Sequence, residues 1–371
     1  MRILVATDSY KGSLSSLEAG NAIKDAILGV APDSEITVCP IADGGEGTME
    51  ALADAFEATE LEIDSVNPRK KPIKAKYYIK DTLAIIDMST TAGLTLLKTH
   101  ERDPMRVTTF GFGLMIKDAI IRGCRDFIIG IGGSATNDAG AGMLQALGFE
   151  LIDSDGNEAI FGALGAGSVV KINDSLVIPE LKECRFRVLC DVTNPLLGKN
   201  GCTYVYSPQK GAINEELPLM DKYLERFAHA VKKYNPSADD TFPGSGAAGG
   251  IGFAFRSMLG ASLERGIEVV TEVTELEKKI KESDLVITGE GRMDSQSASG
   301  KAPIGVAKLA KKHSKRVIAL CGITGDGFEK CYEAGIDEIH PIANPSLTTE
   351  QNMEAQTAKE NVRKTIAKIF K

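Results

Sequence analysis

The sequence predicts an α/β protein of two domains: a parallel-sheet domain built from both chain ends, with a second, mixed α/β domain inserted into it. Three observations predict this. The first 60 residues read β-α-β-α, with strands apolar enough to be buried on both faces, as parallel strands are. Between about 59 and 88 the pattern changes to alternation, which suggests antiparallel strands. From Asp284 the opening rhythm resumes and runs to the C-terminus. A chain of 371 residues has room for two domains at roughly 150 residues each. Such insertion is tolerated because the termini of a domain often lie close together. The boundaries read from the rhythm are 1–60 plus 284–371 for one domain and 61–283 for the insert; three sequential domains are the alternative.

In order, 3–6 is a short apolar strand. Ser15 with Glu18 three residues on forms a capping box, and Ile23, Ala26, Ile27 and Val30 follow at helical spacing. A strand over 36–41 leads into Asp43-Gly44-Gly45-Glu46-Gly47, and Met49, Leu52, Ala53 and Phe56 mark a second helix. In the insert, alternating strands are followed by a helix near 111–122, a strand over 127–131, a glycine-rich loop and a helix over 141–147. A strand over 187–190 ends at Asp191, and a helix near 217–233 precedes the Pro/Gly/Ser-rich stretch 235–250. The closing segment reads as strand 285–288, helix 303–311, strand 317–321, helix 328–334, strand 338–342 and a terminal helix marked by Met353, Ala358, Val362, Ile366 and Ile369.

Composition narrows the function. The net charge is −8, and no basic block of the kind that tracks a nucleic-acid backbone occurs. The seven cysteines are scattered without a CxxC pair, which argues against a zinc ribbon and for reduced core thiols. No secretory leader and no run of about 20 apolar residues is present, so a cytoplasmic protein is expected. Glycine is enriched, 38 residues, about one in ten against an average near 7%, and it clusters in loops.

In open parallel sheets ligands bind beyond the carboxyl ends of the strands. The segments there are Thr7-Asp8-Ser9-Tyr10-Lys11, Asp43-Gly44-Gly45-Glu46-Gly47, Gly289-Glu290-Gly291-Arg292-Met293-Asp294, and Cys321-Gly322-Ile323-Thr324-Gly325-Asp326. Turns and helix caps explain each one singly; four on one predicted edge, rich in acids, make a shared site. In the insert, Gly132-Gly133-Ser134-Ala135-Thr136-Asn137-Asp138 follows a strand, and its N–H groups and hydroxyls suit an anion. The segment 244–250 is a second glycine loop, readable also as a tight helix-packing turn. Walker A fails at Gly300-Lys301, the G-x-G-x-x-G at 244–249 lacks a preceding strand, and G-x-G-x-x-A at 130–135 keeps a dinucleotide reading open. No histidine has a catalytic setting, and neither G-x-S-x-G nor HExxH occurs. Carboxylates, glycine loops and a few cations are the inventory of phosphoryl transfer.

Six blocks in order resemble the bacterial type I glycerate kinases: 8–13, 42–48, 132–138, Cys190-Asp191-Val192-Thr193-Asn194-Pro195-Leu196, 244–250 and Thr288-Gly289-Glu290-Gly291-Arg292-Met293-Asp294. The resemblance spans essentially the whole chain. It implies a flavodoxin-like domain from both chain ends, an inserted domain, and an active site between them. It also implies Mg²⁺-dependent transfer from ATP to the 2-hydroxyl of D-glycerate, in the breakdown of glyoxylate, glucarate or serine.

On the residues themselves, the expected catalytic groups are Asp191 as base, Lys11 and Arg292. Asp8, Ser9, Asp43 and Arg292 are expected to hold glycerate, the planar fork of Arg292 taking its carboxylate. Gly132, Gly133, Ser134, Thr136, Asn137, Gly246 and Gly249 are expected on ATP, and Asp43, Asp294 and Glu290 on Mg²⁺. An NAD-dependent oxidoreductase, a kinase for another small acid or polyol, and a non-catalytic small-anion binding protein are the competing readings. The oligomeric state is not legible.

Overall fold

The computed structural model describes residues 1–42, 45, 47–298 and 300–370. The chain divides into two compact units, Met1–Glu57 with Gly266–Lys371, and Ala58–Arg265.

The first unit is built on a five-stranded, all-parallel sheet in the order Glu338–Pro341, Arg316–Thr324, Leu285–Met293, Arg2–Thr7, Glu35–Val38. Numbered along the chain within the unit, this is the doubly wound order 2-1-3-4-5, whose switch point lies between the first and third strands. The helix Ser16–Val30 starts at the Ser15/Glu18 capping box and buries Ala19, Ile23, Ala26 and Ile27. Against it packs the last helix, Ala355–Ile369, which buries Ala358, Val362 and Ile366. One apolar core therefore joins Ile3 and Val5 to Ile287, Leu320 and Ile366.

Three details depart from the sequence reading. The helices Gly266–Val273 and Leu276–Glu282 belong to this unit, packing on Thr48–Ala55, Arg2–Thr7 and Ala302–Lys312, whereas the rhythm placed the boundary at 284. They are short, and a positive-φ Glu275 separates them, so no long periodic run marks them. The terminal helical pattern breaks at Glu354 into Thr349–Met353, with its own Thr348/Gln351 capping box, and Ala355–Ile369. Finally, the strands Leu285–Met293 and Arg316–Thr324 continue together past the end of Arg2–Thr7, pairing Glu290 with Cys321 and Arg292 with Ile323, where loops were predicted. Gly289 permits this: a Cβ there would sit 2.0 Å from the Leu320 carbonyl oxygen.

The second unit carries a six-stranded mixed sheet in the order Ser262–Glu264, Arg185–Leu189, Asp126–Gly130, Leu83–Asp87, Pro72–Lys80, Thr59–Val66. The first four are mutually parallel; the last two add antiparallel, as the alternation around residues 59–88 predicts. Helices cover it over an aromatic core in which Phe127 stacks on Phe186 at 4.7 Å and Phe112 meets Phe255 edge-on at 6.0 Å. Among the described residues no helix is long and apolar enough to cross a membrane.

Candidate functional site

In the first unit the switch point opens into a cavity of 430 Å³. Its polar wall comes from two strand ends. Asp8, just past Arg2–Thr7, is nearly buried; its Oδ1 accepts the Ser9 N–H at 2.6 Å, while its own N–H donates to the Gly289 carbonyl at 2.9 Å. Tyr10 locks this turn from below: its hydroxyl donates to the Leu320 carbonyl at 3.0 Å. Burial drives its phenol well above the usual range, and the charge of Glu290 adds to that.

Glu290 and Arg292 are two apart on a strand, so both side chains emerge on one face. Glu290 is buried to 6% exposure and pairs with Lys301 Nζ at 3.8 Å. Burial, reinforced by the Glu290 charge, pushes the neighbouring Cys321 thiol up to about 12. Arg292 is exposed, its Nε 3.4 Å from Asp294 Oδ2. Lys11, Ser9, Arg292 and Lys301 line the cavity with the two acids. Of the residues expected from sequence, the fold thus brings Asp8, Ser9, Lys11, Glu290 and Arg292 together. Asp294 stands behind Arg292, its Oδ1 occupied by the N–H groups of Gln296 at 2.9 Å and Ser297 at 3.3 Å. Asp43 lies outside the described residues.

Magnesium takes one or two carboxylates and fills its remaining positions with waters and substrate phosphate oxygens. Asp8 and Glu290, two nearly buried oxygen donors on one cavity wall, fit that demand. Asp294, with Oδ1 capping two amides and Oδ2 beside Arg292, fits it less well. Among the described residues no group of three or more His, Cys, Asp or Glu that could hold a metal ion is present.

In the second unit the loop after Asp126–Gly130 is held from inside. Asp138, fully buried, accepts the Thr109 N–H and hydroxyl at 2.9 Å each and the N–H groups of Gly140 and Gly142 at 3.2 and 3.3 Å. Burial raises its carboxyl pKa, and these donors oppose the rise. Lys210 is also buried; its Nζ donates to Ser134 Oγ at 2.7 Å and to the Thr136 carbonyl at 2.8 Å, and desolvation brings it down to about 8. Asn137 donates to the Thr203 hydroxyl at 3.1 Å.

Thr136 and Asn137 are consequently turned inward, and the exposed residues of the loop are Gly132 and Gly133, next to Ser134. The helix that follows, Ala141–Ala146, begins only after Gly140, so the G-x-G-x-x-A at 130–135 does not open a helix as a dinucleotide fingerprint must. Gly246 and Gly249 are buried against carbonyls: a Cβ would meet Pro195 O at 2.2 Å and Thr136 O at 2.0 Å. Close backbone packing accounts for both glycines. Asp191 is exposed just beyond Arg185–Leu189, a parallel neighbour of the strand that leads into the glycine loop.

Sequence reasoning missed Lys301 and Lys210. Lys301 was weighed only as part of a failed Walker motif. Lys210 sits in a short 3₁₀ turn, Pro208–Lys210, with no periodic signal to mark it as interior.

Residues 3–371 match the sequence pattern of the glycerate kinase family. The chain is 43% identical to the glycerate 2-kinase of Escherichia coli K12 over 95% of its length and 93% of that protein's. It is 40% identical to the glycerate kinase of Bacillus subtilis 168, with the same coverage. A crystal structure from Salmonella typhimurium LT2, described as a glycerate kinase 2, superposes with a TM-score of 0.91 at 40% identity, covering 100% of this chain and 97% of that one.

Proposed function

The chain belongs to the glycerate kinase family, and from that premise we propose that it transfers the γ-phosphoryl group of ATP to the 2-hydroxyl of D-glycerate, giving ADP and 2-phosphoglycerate. The enzyme is a glycerate kinase; the donor, the hydroxyl and the residue roles are the proposal. The observation that carries it is the switch-point cavity, where Asp8 and Glu290 face Lys11, Arg292 and Lys301. Phosphoryl transfer is catalysed mostly by positioning and charge stabilisation, and this wall offers both signs of charge.

In this reading Arg292, exposed and with a planar fork, takes the glycerate carboxylate. Lys11 and Lys301 stabilise the charge spread over the transferring group. Asp8 and Glu290 would hold Mg²⁺, which when bound neutralises phosphate charge. The amides of Gly132 and Gly133 and the Ser134 hydroxyl remain the phosphate ligands proposed for the second unit. Asp191, exposed at a strand end, accepts the hydroxyl proton late in transfer. The setting proposed is organic-acid breakdown in the cytoplasm; the seven free cysteines suit a reducing compartment.

The test is ADP release with MgATP, with and without D-glycerate, the product being coupled through enolase with and without phosphoglycerate mutase. Glycerate-dependent turnover visible without the mutase is the expected result. Signal only with the mutase moves the transfer to the 3-hydroxyl. Asp191→Asn should cut kcat at least 100-fold, the scale of general-base catalysis; an unchanged kcat removes Asp191 from that role.

A further inference from the structure

Glycerate is a three-carbon acid with a polar group on every carbon. Its three carbons do not fill the other half of the switch-point cavity, which is mostly apolar with Asn344, Thr349, Asn352 and Asn361 among its lining. Ile323, Ile342, Ala343, Pro345, Leu347 and Met353 line it, and two of these, Ile323 at 44% and Met353 at 40%, are among the most exposed large apolar side chains of the unit. The 430 Å³ volume lies in the range, about 300–1,000 Å³, of cavities that enclose drug-sized ligands. An aromatic ring fits such a wall; a second small acid does not.

Of the polar side chains there, Asn361 has a fixed amide orientation. Asn361 lines the cavity at 4% exposure, from the core face of Ala355–Ile369. Its amide orientation follows from a chain of bonds. Asn352 donates its side-chain N–H groups to the carbonyls of Asn344 at 3.0 Å, Thr348 at 3.0 Å and Leu347 at 3.3 Å. Its Oδ1 must therefore accept, and it takes the Asn344 N–H at 2.8 Å and Asn361 Nδ2 at 2.9 Å. Asn361 is left presenting its Oδ1, which accepts no hydrogen bond among the described residues. A pre-oriented acceptor on the cavity wall suits a flat ligand carrying an N–H donor.

We propose that this half of the cavity binds the nucleotide base, with the ring against Ile323 and Met353 and the exocyclic amino group of adenine donating to Asn361 Oδ1, so that Asn361 makes the enzyme prefer ATP over 6-oxopurine nucleotides. The inference rests on the kinase reading above and adds the base site and its selectivity. A 6-oxo group would set one acceptor against another at Asn361, and a 6-unsubstituted purine would leave the acceptor unpaired.

The test compares ATP, ITP and purine riboside 5′-triphosphate as donors, and also as ligands by calorimetry without glycerate. The expected result is a preference for ATP of about 10-fold or more over both analogues. Asn361→Ala should collapse that preference toward unity. Ile323→Ala, which trims the apolar wall without placing a charge beside its register partner Arg292, should raise the KM for ATP more than the KM for glycerate. Because Asn361 is nearly buried, its variant is first checked by thermal melting; Ile323 is half exposed, and its variant decides if the other does not fold. The proposal is overturned if the wild type binds the three nucleotides alike, if folded Asn361→Ala keeps the preference, or if Ile323→Ala shifts glycerate rather than ATP. Selective ATP binding with no phosphorylated glycerate formed would instead sink the kinase reading and leave the base site standing.

Discussion

Arg292 and Lys210 show how differently two cations can be used. Arg292 reaches solvent, loosely held by Asp294, so its guanidinium is available to an incoming carboxylate. Arg292→Lys keeps the charge and removes the two-pronged geometry. The KM for glycerate should therefore rise about tenfold or more, with a smaller change for ATP; equal changes in steady-state assays would assign Arg292 to phosphate instead. Lys210 is sealed inside the second unit as the pin of the glycine loop. With its native pKa near 8 and an ordinary value of 10.5, the unfolded chain holds a proton between those limits that the native state has lost. Stability from this group therefore rises with pH across that window and is flat below it. In urea melts from pH 7 to 10.5, the wild type should gain on Lys210→Met only above about 8; a gap independent of pH would contradict the assignment.

At the scale of elements, the paired extension of Leu285–Met293 and Arg316–Thr324 aims the site. Sequence patterning predicts strands ending at 288 and 321, because Gly289-Glu290-Gly291-Arg292 has no apolar period. The ladder continues because the glycine lets the two backbones close up, and it places Glu290 and Arg292 on one face. Gly289→Ala would put a methyl 2.0 Å from the Leu320 oxygen and 3.1 Å from the Tyr10 hydroxyl. Since misplacement by about 1 Å can cost about 100-fold, kcat/KM should fall on that scale while far-UV circular dichroism stays close to wild type. Activity within twofold of wild type would show that the extension does not position the site.

For the whole molecule, the decisive feature is that the first unit cannot be completed until the chain ends. Its core joins Ile3, Val5, Ile23 and Ile27 to Val362 and Ile366. A chain truncated after residue 354 leaves the faces of Ser16–Val30 and the sheet uncovered and removes Asn361. Burial of Val362 and Ile366 is worth roughly 1.5–3 kcal/mol each, a large fraction of the whole stability of a domain. The truncated chain should lose cooperative unfolding of this unit while the second unit, whose core lies within Ala58–Arg265, keeps a melting transition. Two intact transitions would refute this.

Much of this was legible beforehand: the Ser15/Glu18 box, the buried strands Arg2–Thr7 and Leu285–Met293, the alternation around residues 59–88 and the gathering of acids at strand ends are local signals of period, cap and turn. Glu35–Val38, expected to be buried on both faces, is instead a part-exposed edge strand. Asn361 lies beside the apolar stripe Ala358, Val362, Ile366, and nothing in the periodicity singled it out. The family blocks and the α/β class with a parallel sheet also came from sequence. The tertiary structure alone decided which glycines face solvent and which are pressed on carbonyls, why Thr136 and Asn137 point inward, and that Lys301 and Asn361 stand on the cavity of Asp8. These depend on how far a strand pair runs and on which backbone passes within 3 Å of which. Such distances are fixed by contacts between residues hundreds of positions apart, which neither periodicity nor composition records.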